Sequence, residues 1–356
     1  MLYQNTYKGK RVFLTGDTGF KGSWMAAWLI EMGAEVVGYA LPPKTEQDNF
    51  VTTKLAQKYK HIDGDIRDYD GLKKAIDGSK ADILFHLAAQ PLVIASYADP
   101  LETYSTNVMG TANVLEAMRK TSIRAAVMIT TDKCYQNNEW VYGYRENDRL
   151  GGKDPYSNSK ACAELVTQSF RDSFFEKEGN CLVASARAGN VIGGGDWADM
   201  RIVPDLFRAQ RNQTSLTIRN PNATRPWQHV LEPVSGYLKL GAALLAGDQK
   251  AATGWNVGPY QNNHTSVREL IDQFQLNLKQ RGEGIIDVHY PELLNQPHEA
   301  NLLKLDISKA IAELDWHPRL DMAGTVEFTA QGYLDEFAGG DIYAKRVAQL
   351  KMFCEA

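Results

Sequence analysis

The chain has 356 residues, a length that accommodates one large domain or two small ones. Its formal net charge is -4 with both signs spread along the chain, which argues against a nucleic-acid-binding protein, because such proteins carry a basic face. The four cysteines form no CxxC pair, and we find neither a signal peptide nor an apolar stretch long enough to span a membrane, so we expect a cytoplasmic protein.

Short apolar runs alternate with amphipathic stretches through the first half of the chain. The predicted strands are RVFLTG, AEVVGYA, KHIDGDI, ADILFHLAA, RAAVMITTD and CLVASARAG, and the predicted helices are SWMAAWLIEM, TNVMGTANVLEAMRK and PYSNSKACAELVTQSFRDSFF. Near-continuous Val, Ile, Leu and Ala runs are typical of a parallel sheet covered on both faces. The pattern predicts an α/β fold, a Rossmann-type doubly wound parallel sheet built from right-handed βαβ units.

The regular alternation fades after Gly189, where Asn, Pro and Trp become more frequent. We predict a Rossmann domain of residues 1–189, to which residues 228–258 return as a helix and a strand. Residues 190–227 and 259–356 would then form a smaller C-terminal substrate-binding lobe.

A glycine-rich turn, TGDTGFKG, follows the first predicted strand and opens the first predicted helix. Gly16, Gly19 and Gly22 would let the backbone approach a pyrophosphate, which the free N–H groups of the helix N-terminus attract. An ordinary strand–helix turn is the alternative, but the order strand, glycines, helix and second strand favours dinucleotide binding. We expect Thr18, Phe20 and Lys21 of the same turn to contact the cofactor.

The acidic residue that should hold the adenosine ribose is missing, because the second strand ends in VVGYALPP. Tyr39 or a backbone group would have to replace it, and Lys44 keeps NADP open as an alternative to NAD. Further contacts are predicted in GDIRD and at the end of the fourth strand, where His86 is most simply a buried structural histidine. The remaining predicted cofactor contacts are Asp65, Ile66, Leu87, Ala88, Ala89, Gln90 and Asn107.

Tyr156 and Lys160 form a YxxxK pair on one face of a helix that we predict to begin at Pro155, with Asp154 as its N-cap. A nearby ammonium lowers the pKa of a phenol, and such a phenol can take a proton from a sugar hydroxyl while hydride passes to nicotinamide. A solvated helix face is the alternative. Thr131, at the end of the fifth strand, would hydrogen-bond to the same substrate hydroxyl. Tyr156 and Lys160 would also contact the cofactor.

Together TGDTGFKG, HLAAQ, TTDK and YSNSK resemble the extended short-chain dehydrogenase/reductase family over nearly the whole chain. Within it the chain resembles the nucleotide-sugar 4,6-dehydratases, and TGFKGSW, TTDKCY, RAGNVIGGGDW and RPWQHV resemble the branch that acts on CDP-glucose. Relatives acting on dTDP-glucose typically carry Thr-Asp-Glu where this chain has Thr-Asp-Lys, so Lys133 fits the CDP-sugar branch.

The resemblance implies a hydro-lyase that uses NAD without net redox change. C4 of CDP-glucose is oxidised with Tyr156 as base, water is lost across C5 and C6, and hydride returns to C6. Asp132 best fits the acid at the C6 oxygen and Lys133, in its neutral form, the base at C5. The opposite assignment stays open, because a close Asp–Lys pair titrates as a unit. A surface ion pair after a strand is the alternative for both residues.

The resemblance also implies the substrate contacts. Gln90 and Asn190 would reach the sugar nucleotide, Arg201 and Arg225 would hold its diphosphate with guanidinium forks, and His298 and Glu299 would contact the nucleotide ribose or phosphate. The two helices that relatives pack across a two-fold axis predict a homodimer. Seven histidines without HxH or HExxH spacing predict no metal site.

Three other functions stay open from the sequence: a nucleotide-sugar 4-epimerase, a 4,6-dehydratase acting on another nucleotide glucose, and a non-enzymatic dinucleotide sensor. An epimerase would need neither Asp132 nor Lys133, and a sensor would need neither Tyr156 nor Lys160. The resemblance places the protein in dideoxysugar synthesis for a bacterial lipopolysaccharide O-antigen.

Overall fold

The computed structural model of the protein describes residues 1–218, 220–260, 265–291 and 302–356. The strands in this part of the chain are β1 (Arg11–Thr15), β2 (Glu35–Ala40), β3 (Lys60–Asp63), β4 (Ile83–His86), β5 (Ala125–Ile129), β6 (Leu182–Ala188), β7 (Val191–Ile192), β8 (Leu216–Thr217), β9 (Thr224–Arg225), β10 (Gln228–His229), β11 (Gly254–Val257), β12 (Thr265–Ser266) and β13 (Val288–His289).

The helices connect these strands and cover them. They are α1 (Gln4–Tyr7), α2 (Phe20–Glu31), α3 (Asn49–Thr52), α4 (Tyr69–Ser79), α5 (Val93–Ala98), α6 (Pro100–Tyr104), α7 (Gly110–Arg119), α8 (Pro155–Phe170), α9 (Glu176–Glu178), α10 (Ile202–Asn212), α11 (Leu231–Leu245), α12 (Val267–Gln280), α13 (Ser308–Leu314), α14 (Met322–Ala338) and α15 (Ile342–Glu355). Two π-helical turns, Ser105–Met109 and Arg171–Phe175, join α6 to α7 and α8 to α9.

Seven strands form one parallel sheet in the order β11-β6-β5-β4-β1-β2-β3. The chain runs outward from β1 in one direction through β2 and β3 and then in the other through β4, β5 and β6. The strand order therefore reverses between β1 and β4, and ligands of doubly wound sheets bind at such a switch point. This topology confirms the predicted Rossmann-type fold.

Both faces of the sheet are buried, as the apolar runs predict. Along β1, Val12 and Leu14 point into a core shared with α2, α11 and α15, while Phe13 points into a second core with α4 and α7. Neighbouring strand residues face opposite sides, so a strand covered on both faces must be apolar at every position. All five residues of β5 are buried for this reason.

The predicted start of α8 is confirmed. Pro155 occupies the first turn of the helix, and the Asp154 side chain accepts a hydrogen bond from the Ser157 backbone N–H at 2.9 Å. This cap fixes where the helix begins and therefore how Tyr156 and Lys160 enter the interior.

A third core lies among α10, α12 and α14. Phe207 stacks on Tyr333 with ring centroids 4.1 Å apart, and Leu270 and Phe274 pack against them. After α11 the chain returns to the main sheet as β11 beside β6. The division of the chain at residues 189, 227 and 258 stays a prediction.

Within the described residues, no helix combines the length and apolar character needed to cross a membrane. The same part of the chain holds no group of three or more His, Cys, Asp or Glu side chains arranged to bind a metal ion.

Candidate functional site

The glycine turn brings the end of β1 against the end of β4. Gly16 has a φ of +75°, and a Cβ there would lie 2.6 Å from the backbone nitrogen of Ala88. A Cβ on Gly22 would lie 2.0 Å from the carbonyl oxygen of Gly16, so neither position accepts a side chain. Gly19 is the N-cap of α2, and no described side chain caps this helix, which leaves its first N–H groups for an anion.

Side chains from the turn and from β2 tie this edge of the sheet together. The Thr18 hydroxyl donates a hydrogen bond to the Leu41 carbonyl at 2.9 Å, and the Tyr39 hydroxyl donates to the Asp65 carbonyl at 3.2 Å. The Asp65 carboxylate pairs with Arg67 at 2.6 Å. The structure therefore brings together the residues predicted to lie at the adenosine half of a dinucleotide.

His86 is a buried structural histidine, as predicted. Its Nδ1 lies 2.7 Å from the Thr15 hydroxyl and its Nε2 lies 3.2 Å from the Thr111 hydroxyl. Burial, with a smaller effect of the Lys160 ammonium, lowers the pKa of His86 to about 3, so the imidazole is neutral at physiological pH.

The loop after β4 is shaped by Asn107, which lies in the first π-helical turn. Its amide accepts a hydrogen bond from the Gln90 N–H at 2.9 Å and donates to the Gln90 carbonyl at 3.0 Å and to the Ser159 hydroxyl at 2.9 Å. The Gln90 side chain donates to the Thr103 hydroxyl at 2.8 Å. Both predicted binding side chains are thus engaged with protein groups, and they set the path of the loop.

The Thr-Asp-Lys row follows β5 directly at the carboxyl edge of the sheet. Asp132 is fully buried, and its Oδ1 accepts a hydrogen bond from the Thr131 hydroxyl at 3.0 Å. Its Oδ2 is also buried and has no hydrogen-bond partner among the described residues. A buried carboxylate oxygen without a partner is costly, which marks it as a group that a ligand can satisfy. The Lys133 side chain beside it is half-buried.

Tyr156 and Lys160 are both buried on the face of α8 that packs against this row. Burial raises the pKa of Tyr156 to about 12, a hydrogen bond with the Thr131 hydroxyl opposes the rise, and Asp132 adds to it. Burial lowers the pKa of Lys160 to about 8, and its ammonium donates a hydrogen bond to the Ile129 carbonyl at 3.3 Å. The structure thus places Thr131 and Asp132 around the phenol.

Tyr237 is a site residue that the sequence analysis missed. Its hydroxyl accepts a hydrogen bond from the Lys21 ammonium at 3.5 Å, and burial raises its pKa, with smaller contributions from Tyr156 and Asp132. Burial lowers the pKa of Lys21 to about 7, and the Lys160 ammonium adds to this effect. No local motif of α11 distinguishes Tyr237, because the helix also carries Glu232, Ser235 and Lys239.

A buried ion pair behind the row was missed as well. Arg187 on β6 donates to the Glu164 carboxylate on α8 at 2.8 Å, and the Ser185 hydroxyl donates to the same carboxylate at 2.6 Å. The Thr130 hydroxyl, one residue before the row, donates to its other oxygen. Although burial raises the pKa of Glu164, the Arg187 charge and these hydrogen bonds lower it overall, so the carboxylate stays ionised.

Some of the predicted substrate residues lie near the carboxyl edge of the sheet that carries the Thr-Asp-Lys row. The Asn190 side-chain oxygen is buried without a hydrogen-bond partner in the described part of the chain, and the neighbouring Gly189 lies against Asp132. Arg201 pairs with Asp196 at 2.9 Å. Arg225 is buried and donates to the Thr224 carbonyl at 3.1 Å. His298 and Glu299 lie outside the described residues.

Comparison with known proteins identifies the family of this site. A family model described as GDP-mannose 4,6 dehydratase matches residues 13–329. The chain is 50% identical to the CDP-glucose 4,6-dehydratase of Salmonella typhimurium over 92% of its length and 91% of that protein, and 25% identical to the human dTDP-D-glucose 4,6-dehydratase over 92% and 91%. The dTDP-glucose 4,6-dehydratase structure from Streptomyces venezuelae, with NAD bound, has a TM-score of 0.77 at 21% identity and covers 93% of this chain and 99% of its own. The chain therefore belongs to the GDP-mannose 4,6-dehydratase family of extended short-chain dehydrogenases/reductases, which confirms the resemblance carried by its motifs.

Proposed function

We propose that this protein is an NAD-dependent hydro-lyase that converts CDP-D-glucose to CDP-4-keto-6-deoxy-D-glucose. The observation that carries the proposal is the buried Oδ2 of Asp132, which has no hydrogen-bond partner among the residues that the structure describes and lies next to the Thr131 hydroxyl and the Tyr156 phenol. An oxidation alone needs only the phenol and the threonine. A carboxyl group beside them adds the acid that elimination of water requires. The 50% identity to a CDP-glucose 4,6-dehydratase supports the choice of substrate.

The glycine turn fits NAD. Side chains at Gly16 and Gly22 would fill the space beside the turn, and the N-terminus of α2, which no described side chain caps, offers N–H groups to a diphosphate at the switch point of the sheet. Tyr39, Asp65 and Ile66 would hold the adenosine half. When bound, NAD supplies a group that accepts and later returns hydride, so the reaction has no net redox change.

The first proton transfer belongs to Tyr156, which takes the proton of the sugar 4-hydroxyl while Thr131 shares that hydroxyl. Because burial raises the pKa of this phenol to about 12, charges nearby must favour the phenolate. The Arg201 guanidinium acts in that direction. The Lys160 ammonium is held on the Ile129 carbonyl behind the row.

The elimination uses the row itself. Asp132 gives a proton to the leaving 6-oxygen through its Oδ2, and Lys133 takes the proton from C5. Full burial of Asp132 supports its role as the acid, because a carboxyl group shielded from water exchanges its proton with the bound substrate and not with solvent. The alternative assignment has Lys133 as the acid at the 6-oxygen and Asp132 as the base at C5. Asn190, Arg201 and Arg225, with His298 and Glu299, would bind the sugar and diphosphate.

Incubation of the purified protein with CDP-glucose and NAD tests the activity. We expect a 4-keto-6-deoxy sugar, detected by its absorbance in alkali, and no product from dTDP-, UDP- or GDP-sugars. Product from one of those sugars alone would reject CDP-glucose as substrate. An epimerised sugar formed without loss of water would reject the dehydratase.

Two variants separate the steps of the reaction. Tyr156→Phe should abolish NADH formation in a single turnover, and near-normal NADH formation would mean that another group is the base. Lys133→Met should leave NAD binding intact and abolish solvent exchange at C5, whereas retained exchange would assign the base to Asp132. Lys74→Met, at an exposed lysine, is the matched control and should behave like the wild type.

A homodimer is part of the proposal. Leu101 is 80% exposed, Met109 58% and Leu165 53%, and all three lie on the helical segments from α6 to α8. The Tyr104 hydroxyl donates to the Asn158 side chain at 3.0 Å and ties α6 to α8. Large exposed apolar side chains on one helical layer favour burial against a second copy. The proposed setting is the cytoplasm, in dideoxysugar synthesis for a lipopolysaccharide O-antigen.

A further inference from the structure

The glycine-rich turn of residues 193–197 is held from several sides. The Trp24 indole N–H on α2 donates a hydrogen bond to the Gly194 carbonyl at 2.9 Å, and the Tyr333 hydroxyl on α14 donates to the Asp196 carbonyl at 2.6 Å. Both donors are fully buried. Because buried side chains donate hydrogen bonds to these carbonyls, the backbone of the turn is held in one conformation.

The C-terminal helix α15 closes the other side of the turn through Arg346. This buried guanidinium donates to the Gly332 carbonyl and to the Asn49 side chain, each at 3.0 Å, and it pairs with Glu336. Glu336 in turn accepts a hydrogen bond from the Trp197 indole N–H at 2.7 Å. Residues about 150 positions later in the chain thus fix the turn in place.

The fixed turn presents the carboxylate of Asp196, which is buried, to Arg201. One guanidinium nitrogen of Arg201 donates to both carboxylate oxygens, at 2.9 and 3.2 Å, while a third of the arginine side chain stays exposed. The Asp196 charge raises the pKa of Arg201, and the Arg201 charge in turn lowers the pKa of Tyr156, so the guanidinium lies within electrostatic reach of the phenol. Asp196 accepts from Nη1, and within the described residues the other guanidinium N–H groups of Arg201 make no hydrogen bond, so they can face a ligand.

We infer that Asp196 is a positioning residue of the reaction: it holds the Arg201 guanidinium oriented toward the diphosphate of the substrate, and does not itself touch the substrate. The inference rests on the proposed function, because the diphosphate is the group that the arginine meets. An arginine held by a buried carboxylate loses less side-chain freedom on binding than a free one, and its fork keeps a fixed direction.

Asp196→Asn tests this role, because it keeps the size of the side chain and removes the charge. We expect the KM for CDP-glucose to rise about tenfold while kcat falls less than about threefold, since the lost orientation weakens binding of the diphosphate. NAD affinity should stay unchanged. Asp199→Asn is the matched control: it makes the same charge change three residues away, at a carboxylate that is 90% exposed and pairs with Arg208. It should leave KM and kcat unchanged.

A double-mutant cycle with Arg201→Ala separates positioning from a general effect on the fold. If Asp196 acts through Arg201, Asp196→Asn has no further effect on KM in the Arg201→Ala background. Effects that add, or an unchanged KM in the Asp196→Asn enzyme, overturn the inference.

If Asp196→Asn does not fold, Tyr333→Phe decides, because it removes only the hydroxyl that holds the Asp196 carbonyl. A raised KM supports the inference and an unchanged KM overturns it. Turnover of CDP-glucose by the wild type is measured first. Its absence rejects the proposed function, whereas turnover combined with additive effects rejects the positioning role alone.

Discussion

Replacing Arg187 by methionine tests whether the catalytic row depends on the buried ion pair behind it. The side chains of Arg187 and Glu164 are 6% and 3% exposed, so solvent does not screen their attraction. Removing one partner of a buried pair costs about 3–5 kcal/mol, because the remaining charge has no counterion. Arg187 also donates to the Tyr135 hydroxyl at 2.8 Å and to the Glu146 carbonyl at 2.9 Å, and each lost bond costs about 1 kcal/mol.

The loss should depend on pH in a direction that the environment of Glu164 determines. In the wild type the pKa of Glu164 lies below its ordinary value, so its contribution to stability is present above about pH 4.3 and is lost only at lower pH. Without Arg187, burial raises the pKa of Glu164 above that of the unfolded chain. The variant then regains stability as the pH falls toward the raised pKa, so its deficit is larger at pH 8 than at pH 5.5.

Urea unfolding followed by the fluorescence of the seven tryptophans measures the deficit at both pH values. We expect a loss of about 5–7 kcal/mol at pH 8, from the broken ion pair together with the two lost hydrogen bonds, and a large recovery when Glu164→Leu is added, because the double variant has no buried charge without a counterion. Arg124→Met, at an exposed arginine 3.9 Å from Asp82, is the control and should cost less than about 1 kcal/mol. A loss below about 1 kcal/mol for Arg187→Met, or an equal loss at both pH values, would refute the reasoning.

Three further predictions follow from the same contacts. Gly22→Ala should weaken NAD binding at least about tenfold in calorimetry, because its Cβ would collide with a backbone oxygen 2.0 Å away, whereas Gly78→Ala, with nothing within 4 Å, should bind normally. His86 has a folded pKa of about 3, below its unfolded value near 6.5, so it lowers the free energy of unfolding by about 2 kcal/mol as the pH falls from 7.5 to 5. The free energy of unfolding of His86→Gln should therefore fall less steeply over this pH range, and an equally steep fall would contradict the prediction. Leu165→Lys should produce monomers in sedimentation velocity, because it places a charge in the proposed interface. Leu276→Lys, at a similarly exposed leucine on α12, is the control and should stay dimeric. A dimeric Leu165→Lys would exclude α8 from the interface.

Much of the fold and part of the site could be predicted because they depend on local patterns. Apolar runs separated by helical stretches indicate buried parallel strands whatever the rest of the chain does. The YxxxK spacing puts two side chains on one helix face, and the Asp-Pro pair marks where that helix begins. The glycine turn is equally local, since the clash that excludes a side chain at Gly22 comes from Gly16, six residues earlier.

The partners of these residues could not be predicted in the same way. The sequence suggested that the Lys160 ammonium lowers the pKa of the phenol, but in the structure the Arg201 guanidinium and the Thr131 hydroxyl act on it in that direction. Arg201 and Tyr156 are 45 positions apart in the chain, and no periodicity encodes an interaction over that separation. Tyr237 meets Lys21 across 216 positions for the same reason.

The sequence by itself determined the doubly wound sheet, the glycine cradle and the identity of the Thr-Asp-Lys row, because each depends on residues close together in the chain. Only the tertiary structure decided that Asp132 keeps an oxygen without a partner in the described part of the chain, that Glu164 stays charged behind the row, and that α14 and α15 hold the turn carrying Asp196. These features arise where distant segments pack together. Burial and charge there depend on every neighbouring element and not on the order of residues in any one of them.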